Sequence, residues 1–113
     1  MSETQPHRVD ILAALADTIE ARKSASAEES YTAKLLSKGV EKCAKKFGEE
    51  AVEISLAAMT GDKNHITSEA ADVLYHYLVL LTATGVPLAD VMAELESRFN
   101  IGGLVEKASR PES

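Results

Sequence analysis

Glu69-Ala70-Ala71-Asp72-Val73-Leu74-Tyr75-His76-Tyr77-Leu78-Val79-Leu80-Leu81 decides the fold of this chain. The polar/apolar alternation of a half-buried strand is absent from it, and it runs on without Gly or Pro to Gly85. From Ala70 to Val86 its only ionisable groups besides two tyrosines are Asp72 and His76. A helix apolar nearly all round is buried on nearly all sides. A small helical chain can hardly surround one of its own helices, so a second copy is expected to cover the outer face. The expected fold class is therefore all-α, a bundle of about five helices whose core is completed by dimerisation into a homodimer.

Helix punctuation places the neighbours. Ile11, Leu12, Leu15 and Ile19 recur at helical spacing and predict a first helix from Asp10 to about Arg22-Lys23, where cations suit the C-terminal dipole. Ser30 is the expected N-cap of a short helix through Lys38, stopped by Gly39. A third helix is expected from Val40 or Glu41 to about Thr60. Gly61 then ends it and Asp62 caps a fourth, which runs from about Lys63 to Thr84. Gly85 and Pro87 introduce a fifth helix through about Phe99, closed by Asn100 to Gly103. The expected domain spans 8–100, between a flexible N-terminus at 1–7 and a polar C-terminal tail at 101–113.

Asp72 and Glu69 are out of place in so apolar a helix, because burying an unpaired charge is costly. A second acidic cluster, Gly48-Glu49-Glu50-Ala51-Val52-Glu53, sits on the preceding helix. At about 100° per residue Glu49, Glu50 and Glu53 share one arc, with Glu53 between the others. Glu69, Asp72 and His76 likewise form one stripe. Packed through a Gly-Asp turn, the two helices can turn these stripes toward each other and form an oxygen-rich cleft. Glu49, Glu50, Glu53, Glu69 and Asp72 are thus candidate metal ligands. A solvated face would explain the first cluster alone, but not the second, set among Ala, Val and Leu. All-oxygen ligands favour Mg²⁺, with Mn²⁺ also possible. The Glu-x-x-His pattern of helical iron sites is absent, since Glu50-x-x-Glu53 and Glu69-x-x-Asp72 carry no His at the fourth position. His76 is expected to bond a neighbouring carboxylate rather than ligate the metal.

Lys34, Lys38, Lys42, Lys45 and Lys46 recur at three- or four-residue steps. Some are ordinary surface partners of acids; Lys34 and Lys46 are the candidates for holding phosphate oxygens beside the metal. The net charge of −6 over 113 residues makes a nucleic-acid partner a poor expectation. With three Tyr, two Phe and no Trp, the core must be aliphatic. The lone Cys43 allows no internal disulfide, suits a reducing cytosol, and is read as a packing residue. The N-terminus has no apolar signal core, and the apolar run Val73–Ala83 is short of the ~20 residues a bilayer needs. A soluble, cytoplasmic protein without a membrane partner is expected.

Three segments carry a resemblance. Ser30-Tyr31-Thr32-Ala33-Lys34-Leu35-Leu36, then Lys45-Lys46-Phe47-Gly48-Glu49-Glu50, then Asp72-Val73-Leu74-Tyr75-His76-Tyr77-Leu78-Val79-Leu80-Leu81 closely resemble the phosphoribosyl-ATP pyrophosphohydrolases of histidine biosynthesis. The likeness covers about residues 8 to 100, and Gly103 to Arg110 also looks like tails of that family. The acid pattern alone is shared with the wider all-α, MazG-like NTP pyrophosphohydrolases. The resemblance implies a MazG-like bundle working as a dimer or higher assembly. It also implies metal-dependent hydrolysis of 1-(5-phosphoribosyl)-ATP to 1-(5-phosphoribosyl)-AMP and pyrophosphate. The family's acidic ligands carry over to Glu49, Glu50, Glu53, Glu69 and Asp72. Glu50 or Glu53 is the expected catalytic residue that orients or deprotonates water. The next pathway enzyme, phosphoribosyl-AMP cyclohydrolase, is fused to such domains in some organisms; here coupling would need a separate partner. Two other functions compete: MazG-like hydrolysis of noncanonical (d)NTPs, and a non-catalytic dimerisation module with a structural metal.

Overall fold

The fold is known from a computed structural model, which describes residues 8–99. Among these residues five α-helices follow one another: α1 (Asp10–Ala21), α2 (Tyr31–Ser37), α3 (Val40–Thr60), α4 (Lys63–Thr84) and α5 (Leu88–Phe99), with a short 3₁₀ turn at Arg22–Ser24 after α1. No strand occurs among the described residues. The fold is all-α, as the hydrophobic pattern predicts. Residues 1–7 and 100–113, with the expected closure at Asn100–Gly103 and the tail, lie outside the described residues.

The predicted punctuation operates locally. The Ser30 hydroxyl accepts the Ala33 amide at 3.1 Å, satisfying one orphan donor of α2. The Asp62 carboxylate accepts the His65 amide at 3.2 Å and starts α4. Between α3 and α4 the chain reverses through Gly61 at φ 74°, a left-handed conformation that a β-carbon would strain. This two-residue connection folds the two longest helices against each other as an antiparallel hairpin, and α1 and α2 pack across it. α5 leaves α4 at 110°.

The core is aliphatic: Ile19, Leu35, Cys43, Leu78 and Val79 are buried together, with Leu12, Leu15, Leu36 and Leu81 packed around them. Cys43 donates its thiol to the Leu35 carbonyl at 3.4 Å, and burial pushes that thiol's pKa up. Both facts suit a packing residue rather than a nucleophile.

The single chain does not cover its own apolar surface. α4 buries His76, Leu78, Val79 and Thr82, whereas Leu74 is 45% exposed. On the solvent side of α3, Val52, Leu56 and Met59 form an i, i+4, i+7 stripe exposed by 59%, 64% and 83%. No single described helix is long and apolar enough to cross a membrane.

Candidate metal and phosphate site

The α3–α4 hairpin brings acids from both helices to one place. On α3 the buried residues are Cys43, Glu50 and Ala57, each two turns from the next, so Glu50 lies on the stripe that α3 turns inward. On α4, Glu69 and Asp72 are one turn apart. One carboxylate oxygen from each of Glu50, Glu69 and Asp72 lies within 4.8 Å of the other two. Glu50 is only 9% exposed, Glu69 is partly buried and Asp72 is exposed, so the trio forms a pit that opens at Asp72.

The electrostatics of the trio are unfavourable as they stand. Burial, then the negative charges of Glu53 and Asp72, push the Glu50 carboxyl above the usual carboxylate range; nearby Lys46 opposes them. Glu50 Oε1 and Glu69 Oε1 are buried without a hydrogen-bond partner. Buried polar atoms are normally satisfied. Two orphaned carboxylate oxygens beside a third acid are what a hard divalent cation with oxygen ligands would satisfy. The residues present therefore fit such an ion.

The five expected ligands are not equivalent. Glu50, Glu69 and Asp72 converge. Glu49 and Glu53 are exposed on the flank of α3 and are not part of the converging trio. Glu53 lies between Glu49 and Glu50 around α3, but Glu50 is the member that α3 buries, and Glu53 acts on it through its charge. Lys46 closes the pit from the α3 side, with its Nζ 3.7 Å from Glu49 Oε1 and 4.0 Å from Glu50 Oε2. Lys34 is elsewhere, exposed on α2 in a surface hollow with Glu28, Glu29, Ser30 and Tyr31.

His76 departs from expectation. It is buried beside the pit, but it makes no hydrogen bond to a carboxylate, and its Nδ1 has no partner. Burial foremost, then the Lys46 charge, lower its pKa, with Asp72 opposing, so the ring is neutral near pH 7. Its ring meets Tyr75 edge-on at 4.8 Å. The histidine that does approach an acid is His65, whose Nε2 lies 3.3 Å from Glu69 Oε2. The sequence signal for it was the i, i+4 spacing of His65 and Glu69 at the start of α4.

The chain is similar to known proteins over most of its length. The profile of the family described as phosphoribosyl-ATP pyrophosphohydrolase matches residues 12–99, which include all the residues of this site. A protein of Dinoroseobacter shibae named phosphoribosyl-ATP pyrophosphatase is 61% identical over 102 residues, 90% of this chain and 100% of its own. A protein of the same name from a Jannaschia species is 62% identical over 96 residues, covering 85% of this chain and 94% of its own. A Bradyrhizobium diazoefficiens protein named phosphoribosyl-ATP pyrophosphatase 1 is 58% identical over 98 residues, or 87% and 92% of the two chains.

Proposed function

The chain belongs to the phosphoribosyl-ATP pyrophosphohydrolase family, and from that premise we propose that it hydrolyses 1-(5-phosphoribosyl)-ATP to 1-(5-phosphoribosyl)-AMP and pyrophosphate in L-histidine biosynthesis. The observation that ties the reaction to this chain's own residues is the convergence of Glu50, Glu69 and Asp72 around two unsatisfied buried oxygens. These three would hold a divalent cation, Mg²⁺ or alternatively Mn²⁺. When bound, the ion supplies charge neutralisation for the phosphate chain and acidification of water.

The remaining work falls to side chains. Water adds across the α–β phosphoanhydride: its oxygen bonds to phosphorus, the bridging P–O bond breaks, and pyrophosphate leaves. Its proton passes to a carboxylate. Glu50 and Glu53 are the candidates for orienting that water; Glu53 is the exposed one and lies on the flank of the pit. Glu49 keeps Lys46 at the rim, where the ammonium can meet phosphate oxygens that enter above the acids. Lys34 serves phosphate farther along the substrate. His76, neutral and buried, supports the wall of the pit behind Asp72 and Lys46.

The active form is a cytoplasmic homodimer. Its support is the open stripe Val52-Leu56-Met59 and the exposed Leu74, apolar surface of the kind that marks an interface. Replacing Leu56 with Glu puts a charge at the centre of that stripe. We expect the dimer mass seen by light scattering to fall to that of one chain; an unchanged mass would place the interface elsewhere, and a wild-type monomer would remove it.

The reaction is tested by pyrophosphate release from phosphoribosyl-ATP and from a set of dNTPs, each with Mg²⁺ and with Mn²⁺. Preference for phosphoribosyl-ATP is expected. Faster turnover of dNTPs would make the protein a nucleotide-pool hydrolase, and thermal stabilisation by Mg²⁺ with no turnover would make the site structural.

A further inference from the structure

Tyr31 opens α2 and is 57% exposed, yet its ring has a packing partner. It stacks on Tyr75 of α4, with centroids 6.5 Å apart and planes inclined by 22°. Tyr75 is itself pinned, because its hydroxyl shares a 2.5 Å hydrogen bond with Thr32 Oγ1 and its ring meets His76 at 4.8 Å. His76 lies within electrostatic reach of Asp72 and Lys46. On α4, Asp72 and Tyr75 are one turn apart and share a side of the helix. Ring contacts therefore run from the exposed Tyr31 through Tyr75 to His76, and the charges of Asp72 and Lys46 connect His76 to the acidic pit. Lys34 lies one turn beyond Tyr31 in the same surface hollow and forms no ion pair among the described residues.

An aromatic ring that is packed on one side and half in water offers a planar surface that is partly ordered in advance. Stacking on such a surface loses little conformational freedom, and base–aromatic stacking is among the stronger sequence-tolerant contacts a nucleotide can make. We infer that Tyr31 is the stacking platform for the substrate's purine base, with Tyr75 and Thr32 as the residues that hold it in position. The base lies on the α2 side while the triphosphate reaches the acids between α3 and α4. Lys34 then stands beside the base-bearing end, where it can meet a phosphoryl group carried on ribose. The inference rests on the nucleotide substrate proposed above and deepens it by naming what reads the base.

The test separates base from phosphate. Binding of α,β-methylene-ATP and of inorganic pyrophosphate to the Mg²⁺-loaded protein is measured by calorimetry for wild type, Tyr31→Ala, Tyr31→Leu and Tyr31→Trp. Tyr31→Ala and Tyr31→Leu should weaken the nucleotide about tenfold, the order expected for losing one stack, and leave pyrophosphate unchanged. Tyr31→Trp should restore nucleotide affinity. Equal weakening of both ligands would show that Tyr31 only supports the fold, and unchanged nucleotide binding would place the base elsewhere; either overturns the inference. Turnover of phosphoribosyl-ATP by the wild type, measured in parallel, reports on the reaction itself, so failure of that reaction is distinguished from failure of the stack.

Discussion

Glu50→Gln is expected to lower turnover by about 100-fold or more while making the metal-free protein more stable. The first effect follows from position: Glu50 is the buried member of the converging trio, and even the outer partners of metal ligands cost 10–100-fold when removed, so about 100-fold is a lower expectation for a ligand itself. The second follows from its surroundings. Burial and the charges of Glu53 and Asp72 raise its pKa, so the folded state favours the protonated form. A carboxyl whose pKa is raised on folding contributes stability that is complete at acid pH and is lost as the pH climbs through the raised value. The amide mimics the neutral form at every pH. At pH 7.5 the metal-free variant should therefore melt higher than the wild type, by an amount on the order of 1 kcal/mol, or roughly 4–8 °C for a domain of this size. The gap should close as the pH falls toward the ordinary carboxylate range. Mg²⁺ should reverse the order, because a ligand that binds only the folded wild type stabilises it by mass action. Thermal scans with and without Mg²⁺ at pH 5 and 7.5, beside a pyrophosphate-release assay, check each part. A variant that is both active and unshifted in melting would remove Glu50 from the site.

Leu78→Ala should do the opposite. Leu78 is 1% exposed and packs with Val79, Ile19, Leu35 and Cys43 in the one aliphatic core that α1, α2, α3 and α4 share. Removing its side chain leaves a cavity that the helices can fill only in part, at a cost of about 2–5 kcal/mol. Against the 5–15 kcal/mol typical of folded domains, that is a large fraction. The melting temperature should fall by about 10 °C or more. Below the new transition the variant should keep most of its turnover, since no atom of Leu78 belongs to the acidic trio. Loss of turnover without a lowered transition would show that α4 transmits packing directly to the acids.

The two variants separate what was legible in the sequence from what was not. Helix limits were legible because single residues determine them: the Ser30 and Asp62 caps and the left-handed Gly61 and Gly85 are local chemistry that tertiary packing leaves intact. The acidic stripes were legible as stripes. Their rank order was not, because a wheel fixes the angle between residues and leaves open which angle faces the neighbouring helix. A further clue existed in the two-turn spacing of Cys43, Glu50 and Ala57, which sets Glu50 on the core side and leaves Glu49 and Glu53 outside. His65 escaped notice because it lies in an exposed first turn, where a histidine four residues before an acid resembles ordinary surface pairing. The expected hydrogen bond from His76 to a carboxylate is not formed: the ring meets the edge of Tyr75, and Asp72 and Lys46 act on it through charge alone. Lys46 was legible as a cation beside acids; that it bridges Glu49 and Glu50 depends on side-chain geometry that spacing alone does not fix.

The most direct test of the account is to crystallise the protein with Mn²⁺ and collect data at the manganese absorption edge. An anomalous peak is expected within ligand distance, about 2.0–2.6 Å for such hard cations, of carboxylate oxygens from Glu50, Glu69 and Asp72. A well-ordered hairpin with no peak there, or a peak held by other residues, would contradict it.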